Sequence, residues 1–231
     1  MSWNSRPTQI PPYCFFGMAM PKIQLGSAWA AIDNGSEIRC KDKKLILIYP
    51  IYIYGQPVLR QEAQDVELNK EQIDTLVADM FQTLDASQGV GLAAPQIGKP
   101  IRVVVIDLDV LSDEFPEYKD FRHAYINAHI LEFSEETETM NEGCLSLPGI
   151  SEDVTRPSRI RVSYIDENLQ SHDEWVDGYL ARVMQHEFDH LDGKVFTDRS
   201  SAFRRSMLKG KFSAFLKGKA RCSYKVRTVK K

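Results

Sequence analysis

Two histidines four residues apart, His186 and His190 in the stretch QHEFDH, can hold one metal ion together if the chain between them is helical. Positions i and i+4 lie one turn apart on one helix face, so both imidazoles can reach a single metal ion. The neighbouring residues supply such a helix. It runs from about Gly178 to Leu191 and stops at Gly193, a natural C′ residue. Glu187 follows the first histidine directly and can lean over a water held at such an ion as its general base. The bland alternative is a half-exposed helix face with two chance histidines.

A metal here needs a third ligand from elsewhere. His123, His129 and His172 have no motif context, and Leu191 to Phe196 offers only Asp192 as an acid. The distinctive candidate is Cys144, inside EGCLSLP (Glu142 to Pro148). A thiolate suits zinc or ferrous iron, and Gly143 lets the backbone come close to the ion. Most lone cysteines, however, are small buried hydrophobes. A third stretch, GVGLAAPQIG (Gly89 to Gly98), is rich in small residues that allow close backbone approach. Its Gln96 carries an amide able to donate to an oxyanion. Taken alone it is a turn before a strand, and it lacks the Lys and Ser/Thr of a phosphate loop.

The remaining elements point to an α+β fold. Ile73, Leu76, Val77, Met80, Phe81 and Leu84 form one apolar stripe on a helix from Asn69 to about Ala86, with Asn69 and Gln72 spaced as a capping box. IRVVVIDL (Ile101 to Leu108) reads as a strand buried on both faces. LILIYPIYIYG (Leu45 to Gly55) reads as extended, broken at Pro50. Tyr125 to Phe133 and Arg159 to Ile165 are further strands, the second alternating polar and apolar. From about Ser200 to Lys217 the pattern fits a loosely amphipathic helix interrupted at Gly210. Strands precede helices without even interleaving, which favours antiparallel sheets over a doubly wound fold.

Charge divides the chain. From Arg199 to Lys231 there are 12 Lys and Arg and no acid, which leaves 17 basic against 32 acidic residues before it. A basic tail attracts polyanions such as RNA, or packs on the acidic body. Three parts follow: an extension at 1–43, a catalytic domain at 44–198 and a basic C-terminal extension, partly helical, at 199–231. The apolar Tyr13 to Met20 with Ala28-Trp29-Ala30 faintly resembles a leader, but Pro11, Pro12 and Pro21 weaken it. Cys14, Cys40, Cys144 and Cys222 show no paired spacing, so a reducing, cytoplasmic setting is expected, and no apolar run suits a membrane span.

GVGLAAPQ, EGCLSLP and QHEFDHLDG, in that order, resemble the three signature motifs of the peptide deformylase family. The resemblance begins near Ile48, where IYPIYIYGQPVLR is similar to the family's N-terminal segment, and continues to about Asp198. It implies antiparallel β-sheets packed around a central helix that carries HExxH. It implies removal of the formyl group from N-formylmethionyl nascent peptides, with release of formate. Cys144, His186 and His190 would then bind one divalent ion, Fe2+ with Zn2+ as the alternative, and Glu187 would be the acid/base on a water held there. Gln96 and the Leu145 N–H would hold the oxyanion, and Gly91 the substrate backbone. Val90, Leu145 and Val183 match positions of the methionine pocket. Arg156 would face either the peptide backbone or the acid Glu142. A monomer with ribosome contact through the basic tail is expected.

Two other classes compete. An HExxH metallopeptidase would cleave internal peptide bonds and ordinarily take a histidine or acid as third ligand, which EGCLSLP argues against. A non-catalytic metal-binding domain would use four protein ligands and need neither Glu187 nor Gln96.

Overall fold

A computed structural model describes residues 47–229, so the extension read at 1–43 lies outside the described residues. The elements run β1 (Ile51–Tyr52), α1 (Lys70–Ser87), β2 (Gly91–Ala93), β3 (Val103–Asp107), β4 (Arg122–Phe133), β5 (Thr137–Gly143) and β6 (Ser151–Pro157). They continue with β7 (Arg159–Ile165), β8 (Ser171–Asp177), α2 (Gly178–Leu191), α3 (Ala202–Leu216) and β9 (Val226–Arg227).

The run IRVVVIDL decides the layering. All of β3 is buried, as a strand covered on both faces must be. Val104 and Ile106 join an apolar cluster with Val183, Met184, Phe188 and Leu191 of α2. Val103 and Val105 point the other way, into a cluster with Ile73, Val77, Met80 and Leu84 of α1. The period-2 alternation of a strand therefore assigns each helix to one face of the sheet. That sheet is antiparallel throughout, in the order β2-β3-β4-β7-β8. β5 and β6 form a separate antiparallel hairpin.

The hairpin covers the other side of α2. Arg182 of α2 donates to the carbonyls of Glu138 and Val154, and Gln185 donates to Pro157. Twelve of its fourteen residues are consequently buried, so α2 is the central helix of an α+β fold. It ends at Asp192, and Gly193 takes the left-handed conformation with φ of +69°.

α1 begins with Asn69 accepting a bond from the Gln72 N–H, one half of the expected capping box. It also has a second buried face that the apolar stripe does not announce. Asp79 and Thr83 lie one turn apart and are buried; they accept the backbone N–H groups of Leu47 and Tyr49. This is why the described part of LILIYPIYIYG forms a strand only at Ile51–Tyr52. Leu47 and Tyr49 give their N–H bonds to helix side chains instead of a strand partner, and Pro50 has no N–H to give. That short strand pairs with β9 in parallel, unlike the other strand pairs.

α3 runs unbroken through Gly210, where the sequence pattern suggests an interruption. A single glycine weakens a helix without breaking it, and nothing lies within 4 Å of where its Cβ would sit. Leu208 and Phe215 bury one face of α3 in a cluster that includes Cys144 and Leu147. No helix among the described residues is long and apolar enough to cross a membrane.

Gly193 is also a packing site, because a Cβ there would sit 2.9 Å from the Arg60 backbone. Gly193→Ala, strained in both dihedral and contact, should destabilise the protein by about 1–3 kcal/mol in urea unfolding.

Candidate metal centre

α2 places His186 and His190 a turn apart, with ring centroids at 5.4 Å. Both are buried, as is Cys144, which immediately follows the end of β5. The Cys144 Sγ lies 3.1 Å from His190 Nε2, and the three potential donor atoms all fall within 4.8 Å of one another. Ligand bonds of about 2.0–2.3 Å need donors grouped this closely, and one sulfur with two imidazole nitrogens is a set that suits a divalent transition metal. The residues present therefore fit such an ion.

The orientation of His186 is set from behind. Its Nδ1 lies 2.9 Å from Glu142 Oε2. An ionised carboxylate only accepts, so Nδ1 carries the hydrogen and Nε2 is the nitrogen left to meet an ion. Burial alone would push the Glu142 carboxyl up, but hydrogen bonds and charge from Arg156 and His186 outweigh it and hold it far below the usual range. On His190, burial and the neighbouring His186 push the imidazole down to about 3, so the ring is neutral, as a ligand must be.

Arg156 is fully buried, and its partner is Glu142. Its Nε and Nη2 meet the two Glu142 oxygens at 2.6 and 2.8 Å, and Nη1 reaches Asp189 at 2.7 Å. Of the two roles open to it from the sequence, the structure gives the one beside the acid. Arg182 adds a contact of 3.0 Å to Glu142, and Arg199 bonds both Asp189 oxygens. Sequence reasoning named Glu142 but missed Arg182 and Asp189. Their signal was a basic and an acidic residue seven apart on the histidine-bearing helix.

Glu187 is 2 % exposed, and its Oε2 has no hydrogen-bond partner among the described residues. Burial raises its carboxyl to about 7, within reach of both giving and taking a proton near neutrality. Gly91 makes room for it: a Cβ at that position would lie 2.6 Å from Glu187 Oε1. Gln96 is clamped by the Ala93 N–H, which donates to its Oε1 at 2.8 Å. Its NH2 group is thereby turned inward, 3.6 Å from Cys144 Sγ and 3.3 Å from Ser146 Oγ.

Val90 and Val183 come together in the apolar cluster on the α2 side of the sheet. The Leu145 side chain goes to the opposite cluster, with Leu92 and Ile97. Gly91 lies on β2, an edge strand of the five-stranded sheet.

The buried ions make a prediction with a definite sign. Glu142 and Asp189 are both held below their ordinary values. The stability they contribute is present above their unfolded pKa of about 4 and is lost as pH falls through the depressed folded values. Arg156→Met leaves both carboxylates short of a partner. It should cost about 3–5 kcal/mol at neutral pH and move the acid-unfolding midpoint upward, read by circular dichroism.

With this geometry in place, comparison with known proteins gives one answer. Residues 48–206 match the family model described as polypeptide deformylase. The peptide deformylase of Cytophaga hutchinsonii is 42% identical over 181 residues, covering 78% of this chain and 97% of that protein. The crystal structure of the peptide deformylase from Thermotoga maritima is 40% identical with a TM-score of 0.60, covering 67% of this chain and 98% of that one. The structure of a peptide deformylase from Legionella pneumophila is 36% identical with a TM-score of 0.64, covering 75% and 98%. An antiparallel α+β fold around a helix carrying His186 and His190, matched at this identity over nearly the whole length of its relatives, places the chain in the peptide deformylase family.

Proposed function

We propose that this chain removes the formyl group from N-formylmethionyl nascent peptides, with Cys144, His186 and His190 holding one divalent ion and Glu187 moving the protons. Peptide deformylases are metal-dependent and act on formylated nascent peptides. The observation that carries the assignment of roles is Glu187: a buried carboxylate with an unpartnered oxygen beside the Cys-His-His cluster.

A bound ion supplies Lewis acidity toward the formyl carbonyl and the attacking water. The chain does the rest. Glu187, raised to about 7, takes a proton from the water as it attacks and delivers it to the departing amine. The Gln96 amide, held by Ala93, donates to the carbonyl oxygen as it turns negative, together with the Leu145 N–H. The edge of β2 at Gly91 receives the peptide backbone, and Val90 with Val183 flanks the methionine side chain. We assign ferrous iron to the site, since one thiolate with two imidazoles suits it; zinc is the competitor.

We assign the protein to the cytoplasm as a monomer whose basic tail meets ribosomal RNA. Part of the tail's charge is spent inside the protein, Arg199 on Asp189 and Arg204 on Glu152. Lys209, Lys217, Lys219 and Arg221 stay exposed. Their joint replacement by glutamine should reduce co-sedimentation with ribosomes at low salt and leave peptide deformylation unchanged.

Anaerobically purified protein should contain one iron per chain and release formate from formyl-Met peptides, while leaving unformylated peptides uncut. Exposure to air should abolish the activity by oxidising the iron or Cys144. Glu187→Gln should keep its metal and lose about 10²–10⁴-fold in kcat. Full activity in that variant would overturn the assignment.

A further inference from the structure

The family match ends at residue 206, yet the described chain continues to 229 and comes back to the centre. After α3 the backbone turns at Gly218, where φ is +73°, and runs alongside β1. Ile51 N–H donates to Lys225 at 2.9 Å and Ile53 N–H to Arg227 at 3.0 Å. Just before β9, Tyr224 packs against the apolar cluster that contains Leu145. Its hydroxyl donates to the Leu145 carbonyl at 2.8 Å.

That bond completes a set. The carbonyls of Cys144, Leu145 and Ser146 each accept a hydrogen bond, from Leu147 N–H at 3.0 Å, Tyr224 Oη at 2.8 Å and Tyr54 N–H at 2.9 Å. Three consecutive pinned carbonyls fix three successive peptide planes: the Leu145 N–H lies in the plane of the Cys144 carbonyl, and Tyr224 fixes the next plane, which meets it at the Leu145 Cα. Only the middle bond comes from a side chain. Burial raises the Tyr224 phenol, helped by Cys222 and Cys144, so the group stays a donor.

We propose that Tyr224 is a positioning residue for deformylation: its hydroxyl, brought in by the C-terminal segment, fixes the Leu145–Ser146 peptide, which together with the Cys144–Leu145 peptide held by Leu147 sets the backbone at Leu145 and so the aim of its N–H at the oxyanion. This rests on the reading that Leu145 N–H and Gln96 share that oxygen. A hydrogen bond that aims a donor, and does not itself bind substrate, affects the transition state more than the ground state.

The test uses the full-length, iron-loaded protein and a formyl-Met dipeptide. Tyr224→Phe, which removes one oxygen, should lower kcat about 3–10-fold and leave KM within about twofold. Deuterium exchange in the Cys144–Leu147 backbone should rise in the metal-free protein as well. Val226→Ala serves as the control for mere loosening of the tail, because Val226 packs in the α3 cluster with its strand bonds made by the backbone. It should lower the melting temperature and keep kcat. Tyr224→Phe with wild-type kcat, or with a loss no greater than that of Val226→Ala, overturns the proposal. Gln96→Ala separates the two readings. If it keeps full kcat, the oxyanion assignment fails and the Tyr224 role with it; if it loses kcat and Tyr224→Phe does not, only the role of Tyr224 fails.

Discussion

The centre depends on a carboxylate that never meets water. Glu142 sits at the end of β5 with zero exposure, and it touches β6 through Arg156 and α2 through Arg182 and His186. An isolated buried carboxylate is prohibitively costly, so its partners have to be present and correctly placed. Arg156 then needs Asp189, and Asp189 needs Arg199, just ahead of α3. One buried charge thus dictates the mutual placement of the hairpin, the central helix and the start of the C-terminal segment. The imidazole of His186 is aimed as a by-product of the same set of bonds.

The two glutamates show how environment divides labour between identical side chains. Glu142 is surrounded by arginines and stays ionised. Glu187 is equally buried, but it faces the backbone of β2 and the open side of the cluster, and it titrates near neutrality. A fixed anion orients, and a group with its value near the working pH exchanges protons. Gly91 belongs to this division, because its missing side chain leaves the second glutamate its space.

Residue type and spacing made the cluster legible in the sequence. Two histidines four apart meet at one ion when they lie on a helix, and one cysteine in a glycine-bearing loop completes the donor set. The layering was legible as well, since VVVID has no polar face and so needs a helix on each side. Other parts had a weaker signal or none. β5 and β8 are polar and largely exposed, and side-chain pairs such as Thr139 with Thr155 and Arg161 with Asp173 hold them to their neighbours. Arg182 and Asp189 look like solvated helix positions until the hairpin covers them. Tyr224 stands 79 residues from the carbonyl it bonds, a distance at which no periodicity speaks.

The parallel pairing of β1 with β9 bears on how such a protein comes into being. Ile51 finds its partner only at Val226, near the end of the described chain. Local helices form as they leave the ribosome, but a contact of this sequence separation waits for the late residues. The carbonyl row behind Cys144 is therefore finished last. Cys144, His186 and His190 all precede Tyr224 in the chain, so the three donors are present before the segment that pins the carbonyls behind them.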